Sequence, residues 1–218
     1  MLSKATADGA AINLAGVGAS SSMKSLLFNN RLIGGKNGIH LGSNVNYEMI
    51  YNNYISGSDY GLYVAATNSS IGELYFNSFY NDISNLFYSS YSFGYWKVKD
   101  NILHTTNNSA ANACIDAATG SGSTFAACDY NLYYAPNGAS IARKSGVNYA
   151  TLAAWQAIDH ADETPLGDEN SINVDPQYAN ATANNLDISG TSPVVAAGTV
   201  ITGITTDIND NSRFDPPC

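Results

Sequence analysis

The sequence predicts an all-β solenoid, a parallel β-helix of about five or six coils, and three observations predict it. A short word recurs at a spacing in the low twenties. Every copy sets polar turn residues, usually asparagine, between apolar ones. Charged residues make up only 12% of the 218-residue chain, and 15 tyrosines outnumber its 9 lysines and arginines. That balance suits secreted or cell-surface β structure better than a cytosolic helical enzyme.

The word is clearest where the chain says it twice. Leu27-Phe28-Asn29-Asn30-Arg31-Leu32 is followed by Gly34 and then Gly38-Ile39-His40-Leu41. Ile50-Tyr51-Asn52-Asn53-Tyr54-Ile55 is followed by Gly57 and then Gly61-Leu62-Tyr63-Val64. Looser copies stand at Tyr75–Tyr80, Val98–Leu103 and Cys128–Tyr133. In columns, the first positions are Leu27, Ile50, Tyr75, Val98 and Cys128. The fourth are Asn30, Asn53, Ser78, Asn101 and Asn131, and the sixth are Leu32, Ile55, Tyr80, Leu103 and Tyr133. Units of this length cannot bury a core singly, so they must stack. Apolar, polar turn, apolar describes two short strands meeting at a corner. The asparagines of the fourth column tolerate unusual backbone there and can bond from coil to coil as a ladder.

These words resemble the right-handed parallel β-helix repeat proteins of the pectin-lyase-like class, which carry Asn-x-Ile/Leu followed by Gly-Ile-x-Leu. The resemblance covers most of the chain and implies a right-handed coil, as does the chirality of parallel crossovers.

In chain order, Gly9-Ala10-Ala11-Ile12-Asn13-Leu14 echoes Gly38–Leu41 without an asparagine word before it. The coils are expected to be regular to Asn101 and to occupy residues 1–145, with a polar, Gly/Ala-rich insertion at 105–123. Residues 146–218 are expected to form a non-repetitive region laid on the coils. Leu152, Trp155 and Ile158 fall at helical spacing and predict one short amphipathic helix. Asp175-Pro176-Gln177-Tyr178, Leu186-Asp187-Ile188 and Ser192-Pro193-Val194 predict extended pieces broken by turns. With Thr206-Asp207-Ile208-Asn209-Asp210-Asn211-Ser212-Arg213, this ending resembles that of many β-helix repeat proteins and implies a cap or flap. The family continues with an apolar strand past Arg213. Cys218 is therefore expected to be an artificial stop. Because the chain begins in mid-coil with no polar cap, it is expected to be a C-terminal portion of a longer protein.

A net charge of −9 argues against a nucleic-acid partner. No run of eighteen apolar residues is available for a membrane span. Cys114, Cys128 and Cys218 are too few for a disulfide scaffold and are expected to be free thiols, though Cys114 and Cys128 could pair across one loop.

Catalytic residues do not declare themselves. Polysaccharide lyases of the resembled class need a base beside a uronate and a cation, Ca²⁺ or Arg, to neutralise its carboxylate. Lys97 and Lys99 beside Asp100, and Arg143 with Lys144, are the candidates, against a bland reading as solvated side chains. The Gly-His-Gly, Asp-Asp and Arg-x-Lys motifs of the related hydrolases do not occur. Asp159-His160-Ala161-Asp162-Glu163 offers an acid–base pair or metal ligands, or simply a polar loop. Asp207-Ile208-Asn209-Asp210-Asn211 matches half a calcium loop but lacks its glycine and its final glutamate, so a turn is expected and no cofactor, with a bound Ca²⁺ as the lesser alternative. Asn68, Asn107 and Asn180 each begin an Asn-x-Ser/Thr pattern, common by chance in such a composition.

The leading expectation is a non-catalytic module that binds glycan or protein through its side face. The alternative is a fragment of a polysaccharide lyase or glycoside hydrolase acting on acidic polysaccharide. Binding is assigned to Tyr51, Tyr54, Phe76 and Phe79, which occupy the second and fifth positions of the word. There they would form an outward strip on successive coils ~4.8 Å apart. Such a strip is large enough to need a cover. The chain's own C-terminal region is the first candidate, with Leu152 and Trp155 on the short helix as the natural partners, then a second copy of the chain, then a polysaccharide stacked on the rings.

Overall fold

A computed structural model describes residues 2–4, 9–14, 24–42, 45, 47–65, 71–80, 84–85, 87–89, 96–117, 125–158 and 167–213. Its strands stack in parallel into three long sheets. The first sheet contains β1 (Leu2–Lys4), β4 (Arg31–Ile33), β7 (Tyr54–Ser56), β10 (Ser78–Tyr80), β13 (Ile102–His104), β16 (Leu132–Tyr134) and β19 (Ile172–Asn173). The second contains β2 (Ala10–Leu14), β5 (Asn37–Leu41), β8 (Tyr60–Val64), β11 (Phe87–Ser89), β14 (Ala113–Ala117) and β17 (Ser140–Lys144). The third contains β3 (Ser25–Phe28), β6 (Glu48–Tyr51), β9 (Gly72–Tyr75), β12 (Trp96–Lys99) and β15 (Ala127–Asp129). The chain visits third, first and second sheet in turn, so β3 to β15 is four full turns of a parallel β-solenoid. Partial coils extend it at each end.

The apolar columns of the word close the core between the sheets. Leu32, Ile55, Phe79, Leu103 and Tyr133 line it from the first sheet; Ile39, Leu62, Phe87 and Ile115 line it from the second. Gly38 in the Gly-Ile-x-Leu word is required by space rather than by backbone conformation. A Cβ there would lie 2.4 Å from Ile55 Cγ2 and 2.7 Å from the Gly61 carbonyl oxygen.

The register corrects one column. Ile50 lies opposite Leu74 and Tyr51 opposite Tyr75, so the third copy of the word is Leu74–Phe79 and begins one residue earlier than expected. The fourth column is therefore Asn30, Asn53, Asn77, Asn101 and Asn131, without Ser78. Each amide bonds the next coil: Asn53 Nδ2 donates to Asn77 Oδ1 at 2.9 Å and Asn77 Nδ2 to Asn101 Oδ1 at 3.0 Å. In the three middle coils, at Asn53, Asn77 and Asn101, Nδ2 also donates to carbonyls on its own coil and the preceding one, as Asn77 does to Tyr75 and Ile50. A serine hydroxyl has one proton and cannot meet three acceptors. That selects Asn77.

A second correction concerns the corner. The left-handed backbone belongs to the third position, not the fourth: φ is +54° at Asn29 and Asn52, +53° at Phe76, +59° at Asp100 and +58° at Tyr130. Asparagine and aspartate accept this conformation readily, whereas Phe76 and Tyr130 hold it against their preference.

After β17 the chain folds back as β18 (Val147–Tyr149), antiparallel to it, and enters α1 (Leu152–Gln156), capped by Thr151 Oγ1 accepting from Ala154 N at 3.1 Å. Trp155 is fully buried and joins the main core rather than the outer strip. Trp155 is therefore not the partner of the aromatics outside the coil, and another part of the C-terminal region takes that place. Its indole Nε1 donates to Asp168 Oδ2 at 2.6 Å, and the same carboxylate accepts from Tyr133 Oη, Ser171 Oγ and Cys128 Sγ. Ser171 Oγ also accepts from Asn131 N at 2.8 Å and so terminates the asparagine ladder. A planar apolar residue is a suitable lid for the last coil, and the paired Nε1 makes its burial affordable. Cys114 and Cys128 are buried thiols that do not pair with each other; Cys218 and the cluster Asp159–Glu163 lie outside the described residues.

Candidate functional site

The site is built where the chain's non-repetitive end returns to the corner between the third and first sheets. The hairpin β20 (Tyr178–Asn180) and β21 (Asn185–Ile188), antiparallel, crosses the outer face of the first sheet. Residues 192–213 then run as a strap past the corner itself. Hairpin and strap are tied down at several points. Tyr54 Oη donates to Asp187 Oδ1 at 3.0 Å, Asn52 Nδ2 to the Thr206 carbonyl at 2.8 Å, and Thr199 N to Asp100 Oδ1 at 2.6 Å. Arg213 donates to Asn52 Oδ1 at 2.8 Å while its guanidinium lies 3.9 Å from the centre of the Phe76 ring. Ile204 packs on Tyr75 and Phe76, with Met49, Tyr51 and Ile201 around them. The cover of the strip is thus the chain's own strap.

Between strap and corner lies a cleft of about 140 Å³. Its floor is the outward fifth column, which the corrected register makes Tyr54, Ser78, Ile102 and Leu132, extended by Ile172. Leu186, Ile188 and Val194 form the opposite wall, and Asp100, Asp207 and Arg213 supply its charges. Asp207 is occupied within its own turn, accepting from Asn209 N, Asn211 N and Asn211 Nδ2. The half calcium motif is this Asx turn. Asp100 differs: Oδ2 is buried and has no hydrogen-bond partner. Burial pushes its carboxyl up to about 7, with the Thr199 amide and the charges of Lys99 and Arg213 pulling the other way. Among the described residues no group of three or more His, Cys, Asp or Glu is placed to hold a metal ion.

The four residues assigned to binding are brought to one region but not to one surface. Phe79 sits in the sixth column and is wholly buried in the core; Ser78 takes the outward place expected for it. Phe76 is at the corner under Arg213. Tyr54 carries the Arg31 guanidinium 4.5 Å from its ring centre. Tyr51 stacks on Phe28 with centroids 5.0 Å apart and planes 2° from parallel. Tyr54 and Phe76 thus each give a ring face to a guanidinium of this chain, and Tyr51 gives one to Phe28.

The other candidates are dispersed. Lys97 is exposed and 3.6 Å from Glu73, and Arg143 pairs with Asp116 at 3.3 Å on the second sheet. Lys99 follows Lys97 on the outer face of the third sheet, next to Asp100. Asp100 was legible only as a neighbour of those lysines, because its importance comes from the strap folding over it. Arg213 was legible as part of the ending motif. Its contact with Phe76 spans more than half the chain and has no local signal. The chain matches no protein-family model, no curated protein and no solved structure.

Proposed function

We propose that this chain is a non-catalytic, extracellular module of the right-handed, pectin-lyase-like kind, and that it binds a saccharide in the cleft between its corner and its C-terminal strap. The observation that carries the reading is the cleft itself. Its volume of about 140 Å³ is close to that of a roughly 150 Å³ cavity known to admit a six-membered ring. Its lining alternates aliphatic wall with hydrogen-bonding groups, the mixture that a sugar presents in return. The repeated asparagine and Gly-Ile-x-Leu words and the low charge support the class and the location. Calorimetric titration with a panel of neutral and acidic oligosaccharides tests it. Saturable binding that disappears when Ile102→Trp fills the floor is the expected result; no binding by any member, or binding unaffected by that substitution, removes the proposal.

One observation favours the enzymatic reading. A carboxyl held at about 7 in a cleft is in the range of a general acid or base. Incubation with uronate polysaccharides, followed by absorbance from new unsaturated ends and by release of reducing ends, decides it. Turnover abolished by Asp100→Asn would put the enzyme first.

A further inference from the structure

The charges around the cleft are unequal, and the inequality bears on what it holds. Asp100 and Asp207 are the acidic side chains that line it, and Arg213 is the one cation among the described residues that line it. That guanidinium is already committed. It donates to Asn52 Oδ1 at 2.8 Å and to the Thr206 carbonyl at 3.2 Å, and it lies over Phe76. Nearby Asp129 is engaged as well, accepting from Asn170 N and Nδ2 at 2.7 and 2.8 Å. Asp100 Oδ2 is the remaining buried side-chain oxygen of the lining without a partner.

Above pH 7, where Asp100 is ionised, an acid sugar would bring a carboxylate to a wall that already carries Asp100 and Asp207, with no spare cation among the described lining residues to meet it. Like charges held close together in a partly dry site cost binding free energy, and a buried acceptor left unpaired adds to the cost. A hydroxyl reverses both, since it carries no charge and donates the hydrogen bond that Oδ2 lacks. The aliphatic side chains of Ile102, Leu132, Ile188 and Val194 would then face the C–H surfaces of the ring.

Resting on the saccharide reading above, we infer that the cleft selects a neutral sugar unit, one hydroxyl of which donates to Asp100 Oδ2, and that it discriminates against uronates. The side chain acts as a specificity filter by charge and by the unmet acceptor together.

Calorimetry with cellotriose, mannotriose and xylotriose against trigalacturonate tests this at pH 8 and low salt. At least one neutral trisaccharide is expected to bind tenfold or more tighter than trigalacturonate. Asp100→Asn keeps an oxygen for Thr199 N and suits the left-handed backbone, at φ +59°. It should narrow that gap to within about threefold. The wild-type chain provides a second arm that needs no substitution. At pH 5.5 Asp100 is protonated while the uronates remain ionised, so the gap should narrow there too. Lys99, Arg213 and Asp129 are the other charges acting on Asp100. Trigalacturonate binding as tightly as every neutral trisaccharide at pH 8 overturns the inference while leaving a saccharide site in place. So does a gap that survives both Asp100→Asn and pH 5.5. Failure of all the trisaccharides to bind overturns the parent reading and this one with it.

Discussion

Asn77 Nδ2 and Asn101 Oδ1 are 3.0 Å apart inside the coil, and Asn77 N reaches the same oxygen at 3.0 Å. One amide oxygen thus receives two protons from the coil beneath it. The Asn77 amide nitrogen is itself shared among three acceptors. Asn53, Asn77 and Asn101 each make the same set of bonds and are 2% exposed or less.

Replacing Asn77 with alanine therefore strands buried carbonyls and amides on three coils, and should lower stability by about 3 kcal/mol. Ser78→Ala removes only an outward hydroxyl and should cost less than about 1 kcal/mol. Urea unfolding of the two variants ranks them. The reverse order would return Ser78 to the ladder.

Glu48 lies in the third sheet, opposite Ser25 and Gly72. It is 1% exposed, with both carboxyl oxygens unpaired. Burial pushes its carboxyl up to about 7 from an ordinary 4.5. Below pH 4.5 both folded and unfolded chains hold the proton and nothing is lost. Between 4.5 and 7 the unfolded chain releases its proton first, so stability falls as pH rises, then levels off above 7. The total is on the order of 3 kcal/mol. Glu48→Gln should remove that part of the slope. Thermal unfolding of both proteins from pH 4 to 8 measures the difference, and parallel curves would show that Glu48 is solvated.

Asp168 collects donors from Trp155, Tyr133, Ser171 and Cys128 at the end of the core. Asp168→Ala removes that acceptor from all four at once and should destabilise by about 3–5 kcal/mol. Trp155→Phe loses one hydrogen bond and part of the lid, and should cost about 1–3 kcal/mol. In the double variant the two losses should sum to less than their parts, because they share a bond. Strict additivity in a denaturant cycle would separate the indole from the carboxylate.

Gly38→Ala forces a methyl group into Ile55 Cγ2 and the Gly61 carbonyl. Nearby backbone has to move, at a cost of about 1–3 kcal/mol. Gly146, on the hairpin between β17 and β18, has a positive φ but open space around its missing Cβ. Gly146→Ala should cost only about 1 kcal/mol. Equal midpoints for the two in urea would mean that the coil relaxes freely at Gly38.

Much of the coil was readable because its determinants are local and repeated. Leu27, Ile50 and Val98 mark core positions by recurrence, and Asn30, Asn53, Asn101 and Asn131 mark the ladder. The slip at Tyr75–Tyr80 has a physical origin. Phe76 stands where earlier coils have Asn29 and Asn52, in a left-handed conformation that phenylalanine seldom adopts. The aromatic pair Tyr75–Phe76 therefore read as one more strand position. The slip carried Phe79 from the core to the surface and removed Ser78 from the cleft floor.

By itself the sequence determined the parallel stack, the asparagine ladder, the short helix and the turn at Asp207. Each depends on a repeat or on residues within one turn of one another. Only the tertiary structure decided that Trp155 seals the core while the strap covers the corner. It also decided that Arg31 and Arg213 occupy the ring faces of Tyr54 and Phe76, and that Asp100 is left with an unpaired oxygen beside a cleft. Those relationships join residues with no periodic link between them. The strap chooses its path by the apolar strip it can bury and the polar groups it can pair, and both exist only once the coils have stacked.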